Sequence, residues 1–392
     1  MKFIDELIEE HCPSGVEFKP LVEACEILDN MRKPVSQKER IQGIYPYYGA
    51  NGILGYINEF IFDGVYLLVG EDGSAITPNG NPVVTWAAGK IWVNNHAHVL
   101  RELEGTSLRF VFYALQIRDI SKIVHGVPPK LKKADLQKIP IPLPPLVVQK
   151  EIVRILDSFT GLISELEAEL AARRKQYEQY RDKLLTFGDD VDRLPLEKVS
   201  KKITDGMHNL PRDIEQHGDY PIISAENVSN GMVNILSRKY VSSAIFEKEN
   251  TRTDVEQGDV LLTIVGAIGR TAVVKSEQRF LCQRSLCVIK PNIDFVTSHF
   301  IAYILESSQY QAYMNQRAKG AAQKGLYLAQ VKKIEIPVPS LPEQERIVTI
   351  LDKFDALCND ETAGLVAEIA ARKKQYEYYR DRLLDFKRKE SA

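Results

Sequence analysis

The sequence predicts an α+β protein in which two mixed α/β globular segments alternate with two long coiled-coil helices. Three observations carry this reading. The stretch "RKQYEQYRDKLLTF" (Arg174–Phe187) returns as "KKQYEYYRDRLLDF" (Lys373–Phe386). Each copy ends a long heptad-patterned run that starts after a proline-rich lead. Each run is preceded by a segment of ordinary domain size rich in short β-like runs and turns.

The resulting boundaries are 1–146 for the first globular segment, 147–187 for the first long helix, 188–341 for the second segment and 342–392 for the second helix. In the first segment "GVYLLVG" (Gly64–Gly70) and "KIWVNNHAHVL" (Lys90–Leu100) read as strands, and "LRFVFYALQI" reads as a helix. The lead "IPIPLPPL", ending at Leu146, carries Pro142, Pro144 and Pro145, which cannot sit inside a helix and so mark its start. The helix behind it is about 60 Å long at 1.5 Å per residue. Its seam runs Ile152, Leu156, Phe159, Ile163, Leu166, Leu170, Arg173, Tyr177, Tyr180, Leu184, Phe187 in alternating steps of four and three. In the second segment "DVLLTIVG", "RTAVVK" and "SLCVIKP" read as strands and "SHFIAYILESSQYQAYM" as helix. The second lead, "IEIPVPSL", and "QERIVTILDKF" repeat the first lead and "QKEIVRILDSF". The second seam gains four residues between Cys358 and Thr362, a stutter that locally unwinds a supercoil. Arg173 and Arg372 interrupt the two seams at matching places, either snorkelling out or fixing register. The helices pack on each other within one chain, antiparallel, or each pairs with another chain.

Bulk properties narrow the function. The net charge of −2 counts against a free-standing nonspecific DNA binder. The five cysteines are scattered, with no CxxC pair, so neither a zinc knuckle nor a disulfide framework is indicated, and a cytoplasmic protein with reduced thiols is expected. No apolar run is long enough to span a bilayer, so no membrane partner is expected. No Walker loop, GxGxxG or methyltransferase-like motif is present, and Gly266 and Gly269 suit a hairpin better than a phosphate cradle. Glu71 and Asp72 read as solvated turn acids. His96 and His98 alternate on one strand and point the same way, without a third ligand for a metal. No catalytic residue and no metal site is expected.

Polar, aromatic and basic loops remain. Asn and Gln suit bidentate reading of adenine, Arg and Lys that of guanine. In the first segment the candidate DNA-binding residues are Tyr47, Tyr48, Asn51, Asn79, Asn81, Asn94, Asn95 and His96. In the second they are Lys201, Lys202, His208, Arg212, Asn227, Arg270, Gln283 and Arg284. Lys130 in "VHGVPPKLKK" and Lys319 and Lys324 in "QRAKGAAQKG" sit at matching places late in each segment, suited to phosphate contact.

Two diverged globular segments, each followed by a closely repeated helix with a proline lead, resemble the specificity (S) subunit of Type I restriction–modification enzymes. "HCPSGVEFKPLVEACEI" is similar to the family's opening of a target recognition domain, and "GDVLLTIVGAIGRTAVV" to its central strand pair. The resemblance implies two target recognition domains, each reading half of a bipartite DNA site. It implies helices packed antiparallel in a pseudo-twofold chain, where they set the half-site spacing. It also implies docking of two methyltransferase (M) subunits holding S-adenosylmethionine, and of up to two restriction (R) subunits using ATP and magnesium. The chain itself would bind no cofactor and catalyse nothing. The rival readings are an undetected nuclease or methyltransferase, the recognition subunit of a related fused restriction–methylation system, and a coiled-coil adaptor without DNA specificity.

Overall fold

The structure is a computed structural model of the full chain and describes residues 2–73, 75–275, 279–319, 324–359 and 364–389. It divides into two compact units, Met1–Glu165 with Ile369–Ala392, and Leu166–Glu368. Each unit therefore holds one globular segment together with part of both long helices. Among the described residues no helix is long and apolar enough to cross a membrane.

The first unit is built on a six-stranded sheet. Phe62–Gly70 pairs antiparallel with Val84–Val93 on one side and Ala97–Glu102 on the other, and Tyr45–Gly49 joins Val84–Val93 in parallel. Leu67 and Val69 point into a core shared with the helix Leu108–Leu115 and with Ile152 and Leu156 of the long helix Leu146–Leu184. The proline lead is itself a strand: Pro140–Pro142 pairs with Phe18–Pro20. Prolines are tolerated there because a two-stranded ribbon leaves one edge of each strand without ladder bonds.

The second unit repeats this plan with different detail. A four-stranded antiparallel sheet has the order Ser200–Asp205, Leu286–Pro291, Val260–Thr263, Thr271–Val273. The hairpin expected from "GDVLLTIVGAIGRTAVV" is present, with Gly269 at its turn (φ +92°). The strand Tyr220–Ile223 pairs in parallel with Leu281–Cys282, the counterpart of the Tyr47–Trp92 pairing. The helix Ser298–Glu306 takes the place of Leu108–Leu115, and the lead strand Glu335–Pro337 pairs with Arg193–Pro195.

The two seams meet antiparallel within each unit. In the first, Phe159 stacks on Tyr379 at 5.4 Å, while Ile152 and Leu156 share a core with Leu383 and Leu384. In the second, Tyr180 stacks on Phe354 at 5.6 Å and Arg174 donates to the Cys358 carbonyl. Intrachain antiparallel packing thus prevails over pairing with another chain. Arg173 leaves the seam and bonds exposed Glu169, the snorkelling alternative. The second helix is described as Leu341–Asn359 and Gly364–Leu384. The stutter at Thr362 lies outside the described residues.

One buried side chain fastens each long helix to its globular segment. Gln149, 1% exposed, accepts from the Ser107 amide at 2.8 Å and donates to the Pro144 carbonyl at 2.8 Å. Gln344, fully buried, accepts from the Thr297 amide at 2.9 Å and donates to the carbonyls of Phe295 (2.8 Å) and Pro339 (2.9 Å). A Tyr–Asp pair repeats beside each clasp: Tyr113 to Asp157 at 2.5 Å, and Tyr303 to Asp352 at 2.6 Å. Burial, and then the bonded carboxylate, push both phenols well above their usual range. Replacing Gln344 by Ala removes the partner of the Thr297 amide and of the Phe295 and Pro339 carbonyls. A loss of about 3 kcal/mol is expected, against under about 0.5 kcal/mol for the exposed control Glu345→Ala. Urea unfolding midpoints check this.

Candidate nucleic-acid interface

The parallel strand pairing delivers a polar pair of residues to the same place in both units. After Trp92 and Val93 the chain turns, and the Asn94 amide donates to the Tyr48 carbonyl at 3.1 Å. After Leu281 and Cys282 the Gln283 amide donates to the Ile223 carbonyl at 2.9 Å. The next strands, Ala97–Glu102 and Leu286–Pro291, then lie against Gly70 and Thr263 respectively. Asn94–Asn95–His96 and Gln283–Arg284–Ser285 are therefore counterparts. Asn95, His96 and Arg284 are exposed.

A lysine-bearing hairpin sits beside each pair. In the first unit the Glu71 amide donates to the His96 carbonyl and the Leu131 amide to the Glu71 carbonyl, bringing Lys130 alongside. In the second the Ile264 amide donates to the Ser285 carbonyl and the Leu326 amide to the Ile264 carbonyl, bringing the Lys319–Gly325 bridge alongside. Lys130, Lys319 and Lys324 are exposed. The matching positions expected from sequence are thus matching positions in the fold.

Charge networks brace these rims. His98 is fully buried and uses both ring nitrogens, Nδ1 on Asp29 at 2.7 Å and Nε2 on the Leu131 carbonyl at 2.9 Å. Arg32 donates to Glu71 at 2.6 Å and to the Ala97 carbonyl at 2.9 Å, and Lys130 lies 3.1 Å from Glu71. Burial alone would raise the Asp29 and Glu71 carboxyls. The bonds and charges of His98 and Arg32, with Lys130 on Glu71, outweigh it and hold both below the ordinary range. In the second unit Asp205 is likewise held low against its burial, by Arg252 and by His208 at 2.7 Å. Asp29, Glu71 and His98 have donor atoms within 4.8 Å of one another, a grouping of metal-ligand type, yet Arg32 and Lys130 already supply the compensating cations.

Several expectations change on this geometry. Glu71 is not a solvated turn acid; it is the hub of the first network. His96 and His98 do not share a face: His96 meets exposed-side Asp72 at 2.6 Å, while His98 is interior. Tyr47 is buried with its hydroxyl on the Val35 backbone, and Tyr48 is buried too. Asn94 is buried and its Oδ1 accepts from the His96 amide. Asn227 is buried and bonds Ser224, Asn234 and Leu236. These four side chains shape the loops rather than face outward.

Asn51 is exposed in the turn between Tyr45–Gly49 and Gly52–Ile57. Asn79 and Asn81 belong to a separate turn whose Gly80 carbonyl accepts from Ile120. His208 follows the strand end at Asp205 next to Met207, which bridges to Gln283, and exposed Arg270 closes the hairpin after Thr263, so both fall on the Gln283–Arg284 side of the sheet; Arg212 is exposed further along the same loop. Lys201 and Lys202 start that first strand, opposite Lys290 and Pro291, and lie at its other end.

Sequence reading missed Arg32, Lys33 and Arg40. Lys33 lies over Trp92 (5.9 Å) and Arg40 over Tyr47 (4.1 Å). The signal was the basic run "RKPVSQKER" placed just before "YPYYG".

Comparison with known proteins decides what this pair of rims belongs to. The family described as "Type I restriction modification DNA specificity domain" matches residues 13–173 and 195–371. The chain belongs to that family. A Haemophilus influenzae protein assigned as a type I restriction enzyme specificity subunit is 36% identical over 98% of both chains. The EcoR124I/EcoR124II specificity subunit of Escherichia coli is 31% identical over 73% of each. The fold is similar to that of the type I S subunit from M. genitalium, with TM-score 0.55 at 15% identity over 94% of this chain and 96% of that one. A chain from a structure on complex assembly and conformational transition of the type I system gives TM-score 0.56 at 17% identity, over 95% and 98%. Each matched stretch covers most of one globular segment and the first part of the long helix behind it, and the repeated endings Arg174–Phe187 and Lys373–Phe386 lie beyond them. The family's role is DNA recognition without catalysis, and that is the role of this chain; an adaptor without DNA specificity is not favoured.

The depressed carboxyls make the first rim acid-sensitive. Groups whose folded pKa is lowered contribute stability above their ordinary range and lose it as pH falls through the folded value. Unfolding midpoints are therefore expected to drop steeply as pH falls below about 4, the ordinary carboxylate value. Asp29→Asn is expected to lower stability at neutral pH and to flatten that acid limb. Midpoints measured across the acid range check both.

Proposed function

We propose that each unit reads one half of a bipartite, asymmetric DNA site, through Asn95, His96 and Lys130 in the first unit and Arg212, Arg270, Gln283, Arg284, Lys319 and Lys324 in the second. The observation that carries this is the contrast between the repeats. The clasps, Tyr–Asp pairs and seams match closely, while the residues at corresponding rim positions differ, Asn95–His96 against Arg284–Ser285. Shared mechanics with unlike readers fits a nonpalindromic site. The helix pairs would set the spacing and dock two methyltransferase subunits carrying S-adenosylmethionine. Restriction subunits with ATP and magnesium would join that complex in the cytoplasm. Positioning cations suit phosphate, and exposed amides and guanidinium groups suit base edges.

Co-expression with the methyltransferase subunit, followed by methylation-aware sequencing of host DNA, tests the reading. A split asymmetric motif that disappears when this chain is omitted is expected. Exchange of the first globular segment should change one half only; a change in both halves contradicts two independent readers. Arg284→Ala should cost about 1–3 kcal/mol and relax the second half alone. Lys130→Ala and Lys324→Ala should each weaken binding to all sequences and reduce the salt slope by about one. Deleting Asn359–Thr362, four residues at the frame shift read from the sequence, should alter the preferred spacing; an unchanged methylated site would refute the ruler.

A further inference from the structure

The second unit contains a cavity of about 770 Å³ between the helix Ser298–Glu306 and the helix pair. Tyr177, Ala302, Tyr303, Glu306, Asp352 and Asp355 are among the residues lining it. The repeat shows what occupies the corresponding space in the first unit. There the counterparts of Ala302, Tyr303 and Asp352 are Phe112, Tyr113 and Asp157. Arg109 fills the space among them. Its guanidinium carbon lies 4.8 Å from the Phe112 ring centre and 5.1 Å from that of Tyr113, and Nε donates to Asp157 at 2.8 Å. The second unit has His299 in place of Arg109 and Ala302 in place of Phe112, which removes both the plug and the ring beneath it.

Two polar features are left open by that change. The Tyr177 hydroxyl is buried, the residue being 7% exposed, and has no hydrogen-bond partner among the described residues. Its counterpart Tyr376 pairs with the Gln116 side chain at 3.1 Å. Where the first unit has Gln116 and Thr160, the second has the acids Glu306 and Asp355. Glu306 accepts from Thr271 at 2.8 Å and Asp352 from Tyr303, which leaves carboxylate lone pairs without donors. Arg174, Arg181 and Lys275 also line the cavity; Arg181 Nε lies 3.5 Å from Asp182 and makes no hydrogen bond among the described residues.

We propose that this cavity is a binding site for a guanidinium group, held by Asp352 against the Tyr303 ring as Arg109 is held by Asp157 against Tyr113 in the first unit, with Glu306 as a second acceptor. A planar, multiply donating cation matches both the stacking surface and the paired acceptors. The group comes either from an arginine side chain of a docked protein subunit or from a free small guanidinium compound.

Titration of the full chain with ethylguanidinium, followed by calorimetry or ligand-observed NMR, tests the site without any partner. Saturable binding is expected, with none for the neutral isostere N-ethylurea. Glu306→Gln, which installs the first unit's residue, and Asp352→Asn, which removes the counterpart of Asp157, should each weaken binding by about tenfold or more, the loss expected for a hydrogen bond to a charged group. Absence of saturable binding, equal binding of the urea, or equal binding by both variants overturns the proposal. Repeating the titration on the chain complexed with its methyltransferase subunit identifies the source, and only this arm rests on the proposed function. Loss of the site in the complex assigns it to a partner arginine; retention assigns it to a free compound.

Discussion

The buried amide clasp is the interaction on which the rest depends. A glutamine side chain carries one acceptor and two donors, and burying it without partners is costly. Gln344 bonds three backbone groups from two different stretches, residues 295–297 and Pro339, and Gln149 does the same with Ser107, Gly105 and Pro144. Each clasp therefore fixes where the long helix leaves the proline lead and where the domain helix begins. Tyr113–Asp157 and Tyr303–Asp352 then lock the next turns of the same two helices. Because both links are hydrogen bonds of defined geometry, the angle between helix and globular segment is set by directional contacts, not by apolar packing alone. A recognition rim is useful only when held at a fixed position on such a rigid support.

On that support the two units vary freely where variation matters. The parallel strand pairing and the following turn are kept, and they bring an exposed polar residue to each rim, Asn95 in the first unit and Arg284 in the second. The bracing beneath them differs: a buried histidine, arginine and two acids in the first unit, an arginine, histidine and aspartate in the second. The same principle of internal charge compensation is met with different residues. The first unit's arginine plug and the second unit's open cavity show that divergence extends to the inner face of the domain as well.

The architecture was legible in the sequence where periodicity or repetition encoded it. The heptad seams, proline leads and duplicated "QYEQYRDKLL" ending placed the long helices, and the lysine hairpins were matched by their position alone. Individual contact residues were less legible. Tyr47, Asn94 and Asn227 look like readers because aromatic and amide side chains in polar loops serve binding and loop architecture equally well. Only the fold shows that Asn94 caps its own turn and that Tyr47 anchors Val35. Glu71 was hidden for the opposite reason: its partners Arg32, His98 and Lys130 are distant in sequence.

The central claim is that the two rims address different halves of one DNA site. Single cysteines placed at Asn95 or at Arg284, each carrying a photo-crosslinker, in the complex with the methyltransferase subunit and its target DNA, test this most directly. Crosslinks from position 95 confined to one half-site and from position 284 confined to the other, with the spacer unmarked, are predicted. Crosslinks from both positions to the same half, or to neither, would contradict it.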